Sequence, residues 1–156
     1  MTKQRAKSLP VVALVLILAT PVASWWLVGD LSEEVAEGVE LDYGIPPLSL
    51  DPLGDGVVGV LACIAAIRAL ALLVSATSSR RLDSRWWLVL LPLVGAGVLV
   101  GFAWRVLTAG VIGANIGGGL TIIFGGPLLG VLLIAAAAAA LQIRWSRVRR
   151  NGSNSA

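Results

Sequence analysis

Long apolar runs alternate with short polar stretches along the chain. The apolar runs cover about Leu9–Gly29, Gly56–Ala76, Trp86–Thr108 and Phe124–Ile143. Each is close to the ~20 mostly apolar residues that carry a helix across a bilayer. The pattern predicts an all-α protein: an integral membrane bundle of four transmembrane helices. The whole chain, residues 1–156, reads as a single membrane domain, with an acidic loop at 30–55 and a basic tail at 144–156. The first run admits a second reading. Its basic start, its apolar core at Val11–Ala19 and the small residues Val22-Ala23-Ser24 also fit a cleaved signal peptide, which would leave three spans. The run continues through Trp25–Gly29 to full span length, which favours an uncleaved anchor.

Composition strengthens this picture. The chain is 57% hydrophobic and 13% charged, against roughly 25% charged residues in an average soluble domain. So few charges cannot coat a compact soluble domain of this size, and so apolar a chain does not stay disordered. The charges are also sorted. Lys3, Arg5, Lys7, Arg80, Arg81, Arg85, Arg144, Arg147, Arg149 and Arg150 are ten of the twelve basic residues, and all fall on one side if four spans alternate. The positive-inside rule makes that side cytoplasmic, so both termini are expected there, in a bacterial plasma (inner) membrane. Eight of the nine acids lie in the loop after the first span, on the other side; Asp83 sits among the arginines. Arginine outnumbers lysine ten to two in a chain rich in Ala, Val, Leu and Gly, a composition like that of GC-rich actinobacteria. The net charge of +3 does not point to nucleic acid, because the basic residues mark membrane boundaries.

The inventory removes several chemistries. There is no histidine, one methionine and one cysteine. A Ser–His–Asp or Cys–His system cannot be built, nor can an imidazole-containing zinc site, a His-ligated haem or an intrachain disulfide. No cofactor, metal site or catalytic residue is expected. Cys63, in the run VLACIAAI, reads as a small core residue.

Six tryptophans (Trp25, Trp26, Trp86, Trp87, Trp104 and Trp145) fall near span ends, where interfacial belts favour the indole ring. In the acidic loop, Leu31, Val35 and Val39 recur at helical spacing, with Asp30 or Ser32 available as a cap. Pro46, Pro47 and Pro52 then suggest a stiff extended stretch. The carboxylates lack the spacing of a dedicated calcium site and read as a solvated face. The segment Ala109–Ile123 carries no charge and five glycines. It reads either as a tight glycine turn at Gly117–Gly119 or as a re-entrant loop, with Asn115 its strongest hydrogen-bonding side chain. Small residues let helices approach closely in lipid. Gly97 and Gly101 form one GxxxG and Gly126 and Gly130 another, which with the smooth Ala135–Ala140 stretch predicts close packing of the third and fourth spans, in one chain or between chains. Pro92 marks an expected kink in the third span.

Arg68 and Arg105 are the two arginines inside the spans, and an ionisable residue at membrane depth is a functional candidate by default. Arg105, beside Trp104, lies ~30 Å along its span from the basic side. It is expected to pair with Asp30, Asp51 or Asp55, or with a lipid phosphate. Arg68 lies ~12 Å from the basic end of its span, with no acid in any span to neutralise it. It either snorkels to lipid phosphates or meets an anionic ligand or a partner's carboxylate. The ligand or partner candidates are therefore Arg68, Arg105, Trp104 and Asn115. The expected function is non-enzymatic: an accessory or scaffold subunit of a membrane assembly, with the lipid bilayer and a membrane-protein partner or second copy as its contacts. The alternative is a small oligomeric channel or transporter for an anionic or lipid-like substrate.

Overall fold

The computed structural model describes residues 8–33, 41–46, 51–111 and 114–153. It is an all-α protein with four helices long and apolar enough to cross a membrane, the mark of a multi-pass membrane protein. Helix α1 spans Leu9–Val28, α2 Pro52–Ser78 and α3 Trp87–Thr108. A short helix α4, Ala114–Leu120, runs through a wide π-turn at Thr121–Gly125 into α5, Gly126–Ser153. A 3-10 turn at Ser84–Trp86 leads into α3. The strands β1 (Asp42–Tyr43) and β2 (Gly110–Val111) pair antiparallel, Asp42 opposite Val111. We call the end holding β1, β2 and Pro52 the acidic end and the other the basic end.

Local chemistry explains the helix limits. Pro10 occupies the first turn of α1 and Pro52 that of α2, where no helical N–H is lost. Asp51 caps α2 by accepting from the Gly54 N–H at 3.4 Å. At its other end α2 closes in a Schellman pattern: the Arg80 N–H donates to Thr77 O and the Arg81 N–H to Ala76 O. The residue that must turn left-handed there is Arg80, φ 54°. Glycine would adopt this conformation freely, whereas a side-chain-bearing residue is held in it at about 1–2 kcal/mol.

The helices form a row in the order α2, α1, α3, α5, because α1 packs on both α2 and α3 while α5 packs on α3. Leu16 of α1, Ala69 and Leu73 of α2, and Leu90 of α3 make the first buried cluster. Trp87 ties α3 to α2 by donating its indole N–H to Thr77 Oγ1 at 2.9 Å. Val89 of α3 with Ala136 and Ile143 of α5 makes the second cluster. Ala136, Ala139 and Ala140 of the alanine run therefore face α3, at helical spacing.

The glycines correct the sequence reading. Gly97 and Gly101 do face a helix, but it is α1 and not the fourth span. A methyl group on Gly97 would lie 3.2 Å from Thr20 and Pro21, and one on Gly101 would collide with the Pro21 carbonyl and Ser24. Ser24 Oγ donates to Val98 O at 3.0 Å across the same seam. Gly59 leaves room for the Trp26 ring in the α1–α2 seam, so Trp26 is a packing residue as well as a boundary one. Gly126 and Gly130 have no atoms near the place a Cβ would take, so the second GxxxG packs on nothing described. It is Gly95, not singled out in the sequence, that faces Leu132 of α5.

Segment 109–123 also differs from the tight glycine turn. Helix α3 stops at Thr108, residues 110–111 form β2, and a helix resumes at Ala114. Gly117–Gly119 lie inside α4 rather than in a turn. Gly118 allows close approach to the Leu107 side chain, 3.3 Å from where its Cβ would be. The π-turn ends just before Pro127, whose ring nitrogen has no hydrogen to donate to the preceding turn. The fourth candidate span is consequently Ile116–Ser146, longer than the apolar run that signals it. Helix α3 continues through Pro92. The helix expected at Leu31–Val39 falls mostly outside the described residues.

This packing makes an asymmetric prediction. Gly101→Val is expected to destabilise the detergent-solubilised protein by at least the ~1–3 kcal/mol of an overpacked core. Gly126→Val and Gly130→Val are expected to stay within about 0.5 kcal/mol. Thermal unfolding of the three variants in one detergent checks it; equal losses would contradict the packing described.

Candidate functional site

The acidic end is organised around Arg105 in the last turn of α3. Its side chain crosses to α1. The Nε–H donates to the Gly29 carbonyl, and the guanidinium lies 5.0 Å from the centre of the Trp25 ring. Both contacts follow from position. The final carbonyls of a helix lack partners and carry its negative dipole end, and a cation over an indole face gains ~0.5–2 kcal/mol depending on desolvation. Gly29 turns the chain away with φ 75°, a left-handed value suited to glycine.

Asp30 continues the network. Its Oδ1 accepts from the Ser32 N–H at 3.0 Å and from Ser32 Oγ at 2.8 Å. Ser32 Oγ in turn accepts from the Gly110 N–H at 3.1 Å, and the Glu33 N–H donates to Gly110 O. The Asp30 carboxyl is held below the ordinary carboxylate range, first by the Ser32 hydrogen bonds and then by the positive charge of Arg105. Tyr43 of β1 lies over Gly110, where a Cβ would be 2.8 Å from the ring. The Ile45 N–H donates to Leu107 O. The loop after α1 is thereby stitched across the end of α3.

The sequence-derived candidates fall in different places. Arg105 lies in this network, but its direct partners are a carbonyl and an indole face rather than a carboxylate. Asp30 acts on it through space, while Asp51 caps α2 instead. Trp104, the neighbour of Arg105 in α3, is 39% exposed. Asn115 belongs to α4 by its backbone, and its side chain lies outside the described residues. The sequence marks Trp25 and Ser32 only as a boundary ring and a possible helix cap, and it does not single out Gly29, Tyr43 or Gly110. Their signal is faint: a glycine closing an apolar run and a serine two residues after an aspartate.

Arg68 is elsewhere. It is exposed on α2, ten residues before Ser78, or ~15 Å along the axis. Leu61, Ile64 and Leu72, on the same face, are 59%, 48% and 56% exposed. Among the described residues, no hydrogen bond or ring contact engages the Arg68 side chain. The guanidinium thus stands on an exposed apolar face; set against lipid at a helix centre, such a charge costs about 2.5–3.5 kcal/mol. Cys63 is half-buried and free. No protein family, curated protein or solved structure matches the chain.

The loop network gives a pH-dependent expectation. Asp30 is depressed, so its contribution to loop docking is complete above the ordinary carboxylate range and is lost as pH falls through its lower folded value. Asp30→Asn and Arg105→Gln are expected to speed protease cleavage between residues 30 and 46 at neutral pH. Arg105→Gln is expected also to lower stability by about 2 kcal/mol. Cleavage rates equal to wild type in both would show that the network does not hold the loop.

Proposed function

We propose that the protein is a non-enzymatic, multi-pass subunit of a bacterial plasma-membrane assembly and recruits a partner through the α2 face around Arg68. The observation that carries this reading is a guanidinium at membrane depth on an exposed apolar face, with the one acid of its own helix, Asp55, in the first turn and ~20 Å away along the axis. A transmembrane helix carrying Asp or Glu supplies the missing charge and replaces lipid over Leu61, Ile64 and Leu72. Arg105 carries no comparable demand, since its contacts lie within the chain.

The orientation belongs to the same proposal. The basic end carries Arg80, Arg81, Arg85 and Arg144 and faces the cytoplasm by the positive-inside rule, with both termini on that side. In a Cys63→Ala background, an impermeant thiol reagent on intact spheroplasts is expected to label Asp42→Cys and spare Ser84→Cys.

The channel reading has less support. The cavity between α1, α2 and α3 near Ser24 has two hydroxyls in its lining, and both Thr20 and Ser24 donate them to backbone carbonyls. They offer no polar path to an anion.

Capture of the tagged protein from native membranes in mild detergent tests the partner. Photo-crosslinkers at Ile64 and Leu72 are expected to trap one defined membrane protein. Arg68→Leu is expected to reduce its yield at least tenfold while leaving the bait folded, and Arg68→Lys to retain part of it. Lipid adducts alone at both positions would contradict the proposal.

A further inference from the structure

At the basic end the row of helices does not close. A groove of about 430 Å³ opens between the start of α1, the loop after α2 and the start of α3. Leu9, Ala13 and Ile17 form one wall; Leu82, Trp86 and Leu93 contribute to the others. No charged side chain lines it. Its depth is set by the helices that form it. Leu9 to Ile17 is a rise of ~12 Å, and Trp86 to Leu93 is ~10 Å by the same measure. Half the hydrocarbon core of a bilayer is ~15 Å. The groove therefore matches most of the depth of one leaflet and goes no further.

The mouth is basic. Arg81 directly precedes Leu82, and Arg85 directly precedes Trp86, so each arginine is one Cα step, ~3.8 Å, from a lining residue. Arg80 stands beside them in its left-handed conformation. The nearby acid, Asp83, accepts from the Arg85 backbone N–H at 3.0 Å, and three arginines outnumber it. An apolar slot one leaflet deep, under a basic rim at headgroup height, matches a particular molecule. We propose that the groove holds an acyl chain of an anionic phospholipid, with its phosphate at Arg80, Arg81 and Arg85. Basic pockets between helices bind anionic headgroups in this way. A partner's transmembrane helix fits poorly, because it needs ~30 Å of contact rather than one leaflet. The inference is independent of the partner at Arg68 and of the orientation.

The test uses the full chain in phosphatidylcholine nanodiscs doped with spin-labelled phosphatidylglycerol or spin-labelled phosphatidylcholine. Electron paramagnetic resonance reads the immobilised fraction. Wild type is expected to immobilise the phosphatidylglycerol label in marked preference to the phosphatidylcholine label. Arg81→Gln and Arg85→Gln are expected to cut that preference by about fivefold each. Ala13→Phe, which fills the slot, is expected to release both labels. Arg80→Gly separates the lipid role from a structural one: it relieves the left-handed strain, so it should raise the melting temperature while lowering the preference. Should Ala13→Phe fail to assemble, the three rim variants, all at exposed positions, decide the matter. Equal immobilisation of the two labels by wild type, or a preference unmoved by the rim variants, overturns the proposal. So does a photo-crosslinker at Leu14 that traps a protein in place of lipid.

Discussion

The close approach of α1 and α3 is the contact on which the rest of the molecule depends. In lipid, burial of apolar surface does not by itself drive helices together, because the hydrocarbon tails are as apolar as the side chains. Association has to come from dispersion and from hydrogen bonds made at short range. Gly97 and Gly101 provide that range by letting the α3 backbone rest against Thr20, Pro21 and Ser24, and Ser24 uses it to reach Val98 O. Once the seam is set, α3 presents its opposite side to α5. Its last turn also reaches the end of α1, where Arg105 meets Gly29 and Trp25.

The two membrane arginines show how position decides the role of one residue type. Arg105 sits where a helix ends and finds exposed carbonyl dipoles and an indole face, so it acts as a clasp between α1 and α3. Arg68 sits in the middle of a continuous helix, whose carbonyls are already engaged in the backbone ladder, among leucines and isoleucine that face outward. The same guanidinium is satisfied in one setting and demands something from outside the chain in the other.

What was legible in the sequence follows the strength of the physical signal. The four spans read clearly, because crossing hydrocarbon imposes a long uninterrupted apolar run. The GxxxG spacing of Gly97 and Gly101 announced a close approach but could not name the helix approached, since spacing describes one surface and the partner surface is tertiary. Gly117–Gly119 misled for a related reason. Glycine lowers helix propensity by about 1 kcal/mol, yet the chain is helical here, where the Gly118 position allows close approach to Leu107. Arg105 was expected to find a carboxylate because acids crowd the neighbouring loop. A carbonyl at matching height leaves no trace in residue identity. The two-residue pairing of Asp42–Tyr43 with Gly110–Val111 is too short to produce any alternation that could be recognised.

The row order α2, α1, α3, α5 has a consequence for biogenesis. The helix made first by the ribosome occupies an interior place in the row, and each later helix adds to a surface that already exists. α2 meets α1 through Trp26 and Gly59, α3 meets α1 through Gly97 and Gly101 and α2 through Trp87, and α5 packs chiefly on α3. No early helix must wait for a distant segment to fill a gap between helices. Assembly can therefore keep pace with insertion, helix by helix. The loop clasp at the acidic end can form as soon as Gly110 has emerged, so it latches the first three spans before α5 is made.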